Sequence, residues 1–354
     1  MSSIVNLTNS EAAHIVGMGI DGKWQVTVVV KATYVWDQRG QVTATKPSPI
    51  VVMDEFAGDP ASSGLLRASD LGPMKPKFDV LLAGALAFPR PITMTDVHLA
   101  VGSRLRKRAR VFGDRAWLPS TVADLVPSQA RPVSSVAIAW ENSYGGADPA
   151  DAKCIELKNP AGSGVAKDPK TLHGRPAPYF EDPDKPLGAM MGSPAPVGFG
   201  PIAQHWQARI ALAGTYDENW QQTRSPLPPL DFSPTFFNVA PADQQLDGYL
   251  PGEVVAMVNM TTAVQDQFRL PDLAVPVTIV TQDELGEALT AVDTLIIEPG
   301  ERRFSLLGKV QAALPSGPEA LGRVIVGEMP RGMRRAVELG KKYRWPKPRQ
   351  TTES

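Results

Sequence analysis

Short apolar runs separated by turn residues dominate the hydrophobic pattern of this chain. The clearest run is WQVTVVVKATYVWDQRGQVTA at Trp24–Ala44, which is rich in β-branched and aromatic residues and contains DQRG as a turn. This stretch predicts a strand, a turn and a second strand. The run IVVM at Ile50–Met53 predicts a third, shorter strand.

Comparable runs recur along most of the remaining sequence. Each is enriched in β-branched or other apolar residues and is bounded by Gly or Pro. These segments predict one or two strands each: Phe78–Pro89, Thr93–Gly102, Arg106–Pro119, Val133–Gly146, Val254–Thr261, Val275–Gln282 and Asp293–Pro299. Since no helical patterns alternate with them, a parallel nucleotide-binding sheet is not expected.

Three segments lack strand character. Asn159–Gly198 has a proline every few residues and no period, which predicts a long irregular segment. Ile202–Ala213 predicts a short helix that ends at Gly214. The tail from Pro318 onward has the most helical pattern of the chain.

Together these patterns predict a mainly β protein: an antiparallel, sandwich-like body with long proline-rich loops, a few short helices and a helical C-terminus. We expect an N-terminal tail at residues 1–16, a β-rich domain at 17–303 and a basic helical extension at 304–354. A division of the large domain into two subdomains near residues 120–135 stays open.

Composition narrows the classes of function. The formal net charge is −1, so the chain as a whole has no electrostatic attraction to nucleic acid or to an anionic membrane. Cys154 is the one cysteine, which excludes an internal disulfide and a cysteine-based zinc site. We find no signal-peptide pattern and no apolar run near the roughly 20 residues that span a bilayer. We therefore expect a cytoplasmic protein without nucleic-acid or membrane partners.

Motifs that carry enzyme chemistry are missing. The sequence has no zinc-peptidase helix motif, no phosphate-binding loop and no nucleophile elbow. Cys154 is interpreted as a small buried apolar residue rather than a nucleophile. Glu141 and Asp217 are the candidate catalytic carboxylates, but each is more simply explained as a turn or cap residue. We expect no enzymatic activity, no cofactor and no metal.

The stretch GTYDENWQQTRSPLPPLDFSPTFFNVAPADQQ at Gly214–Gln245 is dense in prolines and aromatic residues. Its PLPP sequence favours an extended segment with few backbone hydrogen bonds. Large aromatic residues supply buried area in any fold, but they are also frequent in partner contacts. Both roles stay open. The aromatics, with Trp220 expected to pack inside, are favoured as scaffold, and the polar residues are favoured as the rim of a binding surface.

Eight short motifs occur in a recognisable order. They are SDLGPMKPKFDVLLAGALAFP (Ser69–Pro89), GDRAW (Gly113–Trp117), WENSYGG (Trp140–Gly146), GFGPIAQHWQAR (Gly198–Arg209), GTYDENW (Gly214–Trp220), PLPPLDFSPTFFNVAPADQQ (Pro226–Gln245), LPGE (Leu250–Glu253) and DTLIIEPGERR (Asp293–Arg303). In this order the chain, from about Gly17 to Arg303, resembles a bacterial family called domain of unknown function 2169. Two motifs depart from the family pattern: WENSYGG is less charged than expected, and FSLLGK replaces an expected Trp-Arg pair.

The resemblance implies a function as an adaptor or chaperone of the type VI secretion system. Its partner would be a toxic effector, often with a PAAR-motif tip, and through it the spike trimer. Alternatives are a carboxylate-dependent enzyme and a structural part of the secretion particle. The resemblance marks these residues as family hallmarks or partner contacts: Trp206, Arg209, Tyr216, Asp217, Trp220, Asp231, Phe232, Phe237, Asn238 and Gln244.

The segment Arg331–Arg349 has eight basic residues and one acid, Glu338. A helix here would place Met333, Val337 and Tyr343 on one side and leave Arg334, Arg335, Lys341 and Lys342 more exposed. We expect this helix to dock on the body, with the exposed charges either solvated or steering an acidic partner.

Overall fold

The computed structural model describes residues 3–120, 125–148, 150–187, 194–282, 284–341 and 343. Strands in the first part are β1 (Ser3–Asn6), β2 (Glu11–Met18), β3 (Trp24–Trp36), β4 (Val42–Ala44), β5 (Glu55–Phe56), β6 (Leu65–Arg67), β7 (Phe78–Leu82), β8 (Ala85–Ile92), β9 (Met94–Val101), β10 (Leu105–Phe112), β11 (Trp117–Pro119), β12 (Leu125–Pro127) and β13 (Val133–Ala137). Those that follow are β14 (Tyr144–Gly145), β15 (Ala147–Asp148), β16 (Asp151–Ile155), β17 (Ser163–Gly164), β18 (Phe180–Glu181), β19 (Gln245–Leu246), β20 (Val254–Val258), β21 (Gln265–Arg269), β22 (Pro276–Thr281), β23 (Leu285–Leu289), β24 (Ala291–Glu298), β25 (Arg303–Ala313) and β26 (Leu321–Val326).

The helices are short. The α-helices are α1 (Gln207–Ile210), α2 (Glu218–Thr223) and α3 (Arg331–Glu338). Single 3₁₀ turns lie at Trp140–Asn142, Pro169–Leu172, Pro234–Phe237, Ala242–Gln244, Pro299–Glu301 and Pro318–Ala320. The predicted mainly β fold is therefore confirmed.

A seven-stranded sheet organises the molecule, with the order β19-β7-β24-β25-β3-β2 and with β4 paired to β3. Its longest strand is β3, which has 13 residues and whose β-branched residues suit burial on both faces. β7 and β24 run parallel, as do β1 and β26, so the sheets are mixed as well as antiparallel.

Two smaller sheets cover one face of this sheet, which we call the apolar face. The five-stranded sheet β18-β10-β9-β20-β21 packs on it around Trp36, Phe304 and Phe268. The four-stranded sheet β1-β26-β22-β23 packs on the other end of β3, around Val26 and Val28. The body is therefore sandwich-like, as predicted.

The opposite face, which we call the polar face, has charged and hydroxyl side chains. The register aligns one row across five strands, from Asp79 through Thr294, Leu307 and Lys31 to Glu11. Residues 45–51, which we call the strap, cross this face: the Thr45 backbone N–H donates to the Thr33 carbonyl, and the Lys31 ammonium donates to the Pro49 carbonyl.

Several local predictions were wrong. Ile50–Met53 is not a strand, because the Val51 N–H donates to the buried Asp70 carboxylate instead of to a neighbouring strand. Helix in Ile202–Ala213 is limited to α1, since the Ile202 N–H is bonded to the Val239 carbonyl. The tail from Pro318 contains the predicted C-terminal helix, α3, but it is not helical throughout: residues 321–326 form β26 in the four-stranded sheet.

The two predicted flanking segments also take part in the sheets. The expected N-terminal tail, residues 1–16, contains β1 and most of β2. The expected helical extension from residue 304 begins with most of β25, and its described α-helix is α3. The domain boundaries stay a prediction, and residues 121–124, beside the proposed subdomain boundary, lie outside the described residues.

α3 has the predicted orientation. Met333 is buried and Val337 and Tyr343 are half-buried, whereas Arg334, Arg335 and Lys341 are exposed. Arg334 forms an ion pair with Glu287 on β23, which attaches the helix to the four-stranded sheet. Lys342 and residues 344–349 of the basic segment lie outside the described residues.

Candidate functional site

The proline-rich hallmark stretch folds into a lobe at residues 207–237, which we call the aromatic lobe. Gly214 forms its first turn with φ +82°, and a side chain there would meet the Asp231 carboxylate. The same carboxylate accepts hydrogen bonds from the Thr215 N–H at 3.0 Å and the Thr215 hydroxyl at 2.8 Å. These bonds hold the pKa of Asp231 below its ordinary value, with the backbone bond as the largest cause.

α2 is held by its own N-cap. The Asp217 carboxylate accepts from the Trp220 N–H at 2.8 Å, so the predicted cap is confirmed. Trp220 packs edge-to-face on Tyr216 at 4.7 Å, and its ring N–H donates to the Leu227 carbonyl. The expected place of Trp220 inside the core is wrong: it is half-buried within the lobe, because its ring stabilises the proline-rich loop.

Phe232, Phe236 and Phe237 form one half-buried ring cluster with centroids 5.5–6.1 Å apart. Arg209 anchors this cluster to the body. Its guanidinium is buried and donates to the carbonyls of Ile202 and Phe236. Burial lowers the pKa of Arg209, which shows that these carbonyls hold a desolvated cation.

Three other hallmark residues are structural. Trp206 is 1% exposed and packs edge-to-face on Trp140. Gln244 is buried, and its amide donates to the carbonyls of Val80 and Phe199. Asn238 donates to the Asp79 carboxylate at 2.8 Å. Because these amides replace missing backbone donors, the expected rim role is wrong for Asn238 and Gln244.

The hallmark residues therefore separate into two groups. Trp206, Arg209, Asn238 and Gln244 are buried, whereas Tyr216, Asp217 and Asp231 are exposed and Trp220, Phe232 and Phe237 are half-buried. Sequence reasoning placed all ten together, and the structure brings the last six into one lobe together with Arg209, which joins that lobe to the body. Whether this lobe contacts a partner stays a prediction.

Three large apolar side chains of the lobe are exposed to solvent. Leu230 is 87% exposed, Tyr216 is 56% exposed and Ile210 is 49% exposed. The lobe touches the β2–β3 turn, where Arg224 donates to the Ile20 carbonyl at 2.9 Å. That turn region has three more exposed apolar side chains, Met18, Ile20 and Trp24. The six exposed apolar side chains on the lobe and on the turn, which are Ile210, Tyr216, Leu230, Met18, Ile20 and Trp24, form what we call the apolar surface.

A buried charge network, which sequence reasoning missed, lies beneath the lobe on the polar face. Asp79 is fully buried and accepts from the Val239 N–H and from Asn238, so it connects the segment that follows the lobe to β7. It also accepts from the Lys75 ammonium at 2.8 Å, and Lys75 donates further to the Thr294 hydroxyl at 2.8 Å.

Two further lysines repeat this arrangement. Lys309 lies 3.1 Å from Asp293 and donates to the Pro73 carbonyl. Lys31 lies 2.8 Å from Asp70. Burial lowers the pKa of Lys309, and Asp293 partly offsets this effect.

One sequence signal could have found the network. Lys31 and Lys309 each interrupt a long apolar strand, and the two strands read WQVTVVVKATYVW and RFSLLGKVQAA. In these strands only Arg303, at the start of the second, adds another charge. A charged residue in the middle of such a strand is rarely buried unless it is paired, so each lysine predicts a buried carboxylate nearby.

These groups line a cleft of about 780 Å³ between the polar face and the strap. Its floor includes Lys31, Lys75 and Lys309, and aliphatic side chains lie between these charges. Thr33 and Ser305 form a hydroxyl pair at 2.9 Å on the same face, and Thr33 accepts from the Ser48 N–H of the strap. The cleft is therefore a preformed cavity with walls of mixed polarity.

The candidate catalytic groups are engaged in structural bonds. Glu141 accepts from the Gly64 N–H at 2.6 Å, and Asp217 caps α2. Within the described ranges, no group of three or more His, Cys, Asp or Glu side chains could hold a metal ion. Cys154 is free, and it is half-buried rather than buried as expected. None of the helices that the structure describes has the length and apolar character needed to cross a membrane.

Comparison with known proteins identifies a family and nothing finer. No curated protein and no solved structure matches the chain. A family described as an uncharacterized protein conserved in bacteria matches residues 21–309, which include both the aromatic lobe and most of the cleft. The matched segment covers most of the chain, and the protein therefore belongs to the bacterial family DUF2169.

Proposed function

We propose that this protein is a non-enzymatic binding protein for another protein. More specifically, we propose a cytoplasmic adaptor of the type VI secretion system that holds a toxic effector, with a PAAR tip, for loading on the spike. The resemblance of the ordered motifs supports the specific form. The apolar surface supports the general form, and it is the observation that carries the proposal.

An exposed apolar surface on a rigid support is typical of protein-binding sites, because the removal of apolar area from water on binding lowers the free energy. The lobe is rigidly supported: Arg209 joins it to the body, and Asp231 closes its loop on Thr215. Leu230 and Tyr216 are therefore presented in a fixed arrangement rather than on a floppy loop. Such preorganisation lowers the entropic cost of binding.

An enzymatic function has less support. Asp217 and Glu141 accept backbone N–H bonds, and neither is among the described residues that line the cleft. The buried carboxylates near the cleft, such as Asp79, are each paired with a lysine. Groups paired in this way are held in place by their partners and have little freedom to exchange protons with a substrate.

The test is affinity recovery of the tagged protein from its native cell, with and without the neighbouring effector gene. We expect the wild-type protein to recover the effector and the double variant Tyr216→Ala/Leu230→Asp to recover much less. Leu289→Asp is the matched control, since Leu289 is also exposed but lies on β23. Circular dichroism confirms that each variant is folded.

A second arm tests the secretion role itself. Deletion of the gene should lower secretion of the adjacent effector. Unchanged secretion of a soluble, abundant effector would refute the adaptor function. Steering by the basic side of α3 stays a separate prediction, which a truncation after Glu328 tests through the association rate at low and moderate salt.

A further inference from the structure

The cleft on the polar face has unused hydrogen-bond donors. An ammonium group has three N–H donors. Lys31, Lys75 and Lys309 each donate two hydrogen bonds within the described residues, one to a carboxylate and one to a carbonyl or hydroxyl oxygen. Since all three side chains are at least nine-tenths buried and line the cleft, each has one further donor for an acceptor that occupies it.

The walls of the cleft offer the complementary groups. The strap contains Pro47 and Pro49, which have no N–H, so this wall presents carbonyl acceptors more than donors. Between the polar groups lie aliphatic side chains from both the sheet and the covering loops: Val35, Val51, Leu66, Leu81, Val239, Ile296 and Leu307. A suitable occupant therefore has acceptors, donors and aliphatic groups along its length.

Other classes of ligand fit less well. The described residues that line the cleft include no aromatic side chain to stack on a base or a sugar ring. A simple anion gains little, because Lys31, Lys75 and Lys309 are each already neutralised by a carboxylate. An extended peptide has alternating carbonyl and N–H groups and an apolar side chain at every second position, which matches all three features.

We propose that the cleft binds an extended peptide segment with aliphatic side chains, contributed by the partner protein. The lysine ammonium groups donate to its backbone carbonyls, and the strap carbonyls accept from its N–H groups. This inference rests on the protein-binding function proposed above. It adds that the part of the partner bound in the cleft is an extended peptide segment. The cleft is a second site, separate from the apolar surface: none of its described lining residues belongs to the aromatic lobe.

The probe is a phage-displayed library of random dodecapeptides, selected on the purified full-length protein. Enriched peptides are then measured against two variants that fill the cleft from opposite walls, Leu66→Trp and Thr45→Trp. Both positions line the cleft and are exposed, so the larger ring replaces solvent rather than core. Leu289→Trp is the matched control, because it makes a similar change at an exposed position on β23, outside both the cleft and the apolar surface.

We expect enriched peptides with aliphatic residues at alternating positions. Their affinity should fall at least about tenfold in both cleft variants and stay unchanged in Leu289→Trp. No enrichment, or peptides that bind all variants equally, would overturn the proposal, as would loss of binding in Leu289→Trp alone. The peptide measurement needs no effector, so it is independent of the secretion experiment. If deletion of the gene leaves effector secretion unchanged but the peptides still bind, only the adaptor function is rejected. The proposal that the cleft binds a peptide then stands.

Discussion

The two faces of the seven-stranded sheet are built from the same strands but bury opposite chemistry. On the apolar face, Phe304 and Leu306 pack in the cluster that contains Trp36 and Phe268. On the polar face, the alternate residues of the same strand are Ser305, Leu307 and Lys309. Burial therefore has a different effect on each face. On the apolar face it removes apolar area from water, and on the polar face it fixes the position of side chains and of the loops that cover them.

The free energies differ accordingly. Burial of apolar area stabilises by roughly 25 cal/mol per Å². A buried ion pair such as Lys31–Asp70 gains Coulomb energy but loses hydration, so its net contribution is small even though breaking it is costly. The main effect of the polar face is therefore to position the strap. Lys31 and Asp70 together bind the backbone of the strap at Pro49 and Val51.

The largest effect is expected on the apolar face. Phe304→Ala should lower the free energy of unfolding by about 3–5 kcal/mol, because a fully buried ring stacked at 4.4 Å on Phe268 leaves a cavity. Chemical denaturation measures the change. Leu289→Ala, at an exposed position on β23, should stay within about 0.5 kcal/mol. Equal losses in both variants would contradict the assignment of the core.

A somewhat smaller loss is expected when one charge is removed from the polar face. Lys31→Met should cost about 3 kcal/mol, because Asp70 is left as an uncompensated buried carboxylate. The double variant Lys31→Met/Asp70→Asn should be more stable than the sum of the two single changes. Strict additivity in denaturation experiments would mean that the two side chains do not interact.

The hallmark residues should show the same separation between scaffold and surface. Gln244→Ala should cost about 1–3 kcal/mol, because the Val80 and Phe199 carbonyls lose their buried donor. Tyr216→Ala should change stability by less than about 0.5 kcal/mol, because its ring is largely exposed. Thermal unfolding of both variants measures this difference, and the reverse ranking would show that the lobe, rather than Gln244, supports the fold.

The smallest effect is expected on the titration of Lys309 in the wild-type protein. Burial lowers the pKa of Lys309 below its ordinary value of 10.5. NMR of the side-chain amine should therefore find deprotonation at a pH below 10.5. Asp293→Asn should lower this pKa further, since the carboxylate favours the charged lysine. A pKa at or above 10.5 would contradict this prediction, because it would mean that the attraction of Asp293 outweighs the effect of burial.

The sequence predicted the strands well where local chemistry determines them. Trp24–Ala44 forms β3 and β4 because its β-branched residues and its turn act within a few neighbours. Ile50–Met53 has similar residues but no strand, because the distant Asp70 binds its backbone. The tail near Leu321 has a helical pattern, yet pairing of β26 with β1 and β22 overrides this weak preference.

The site was predictable to a lesser extent. Asp217 was identifiable as a cap because the bond it makes is local. Asn238 and Gln244 looked like surface residues because amides usually are, but β7 and the Phe199 loop present backbone carbonyls that only the folded chain brings to them. The cleft was not predictable, since its lysines and their carboxylate partners come from β3, β7, β24, β25 and the loop before β7.

The pairing of β3 with β25 has a consequence for synthesis on the ribosome. β3 ends at Trp36, whereas β25, with which it forms its longest ladder, ends at Ala313. β7 is likewise synthesised well before its partner β24. At about 5–20 residues per second, the early strands emerge on the order of 15–50 s before their partners. During that interval β3 can pair only with its neighbours β2 and β4, and the edge that later binds β25 has no partner strand, so the nascent chain needs protection from aggregation. A message truncated before residue 303 yields a chain whose main sheet lacks its central ladder.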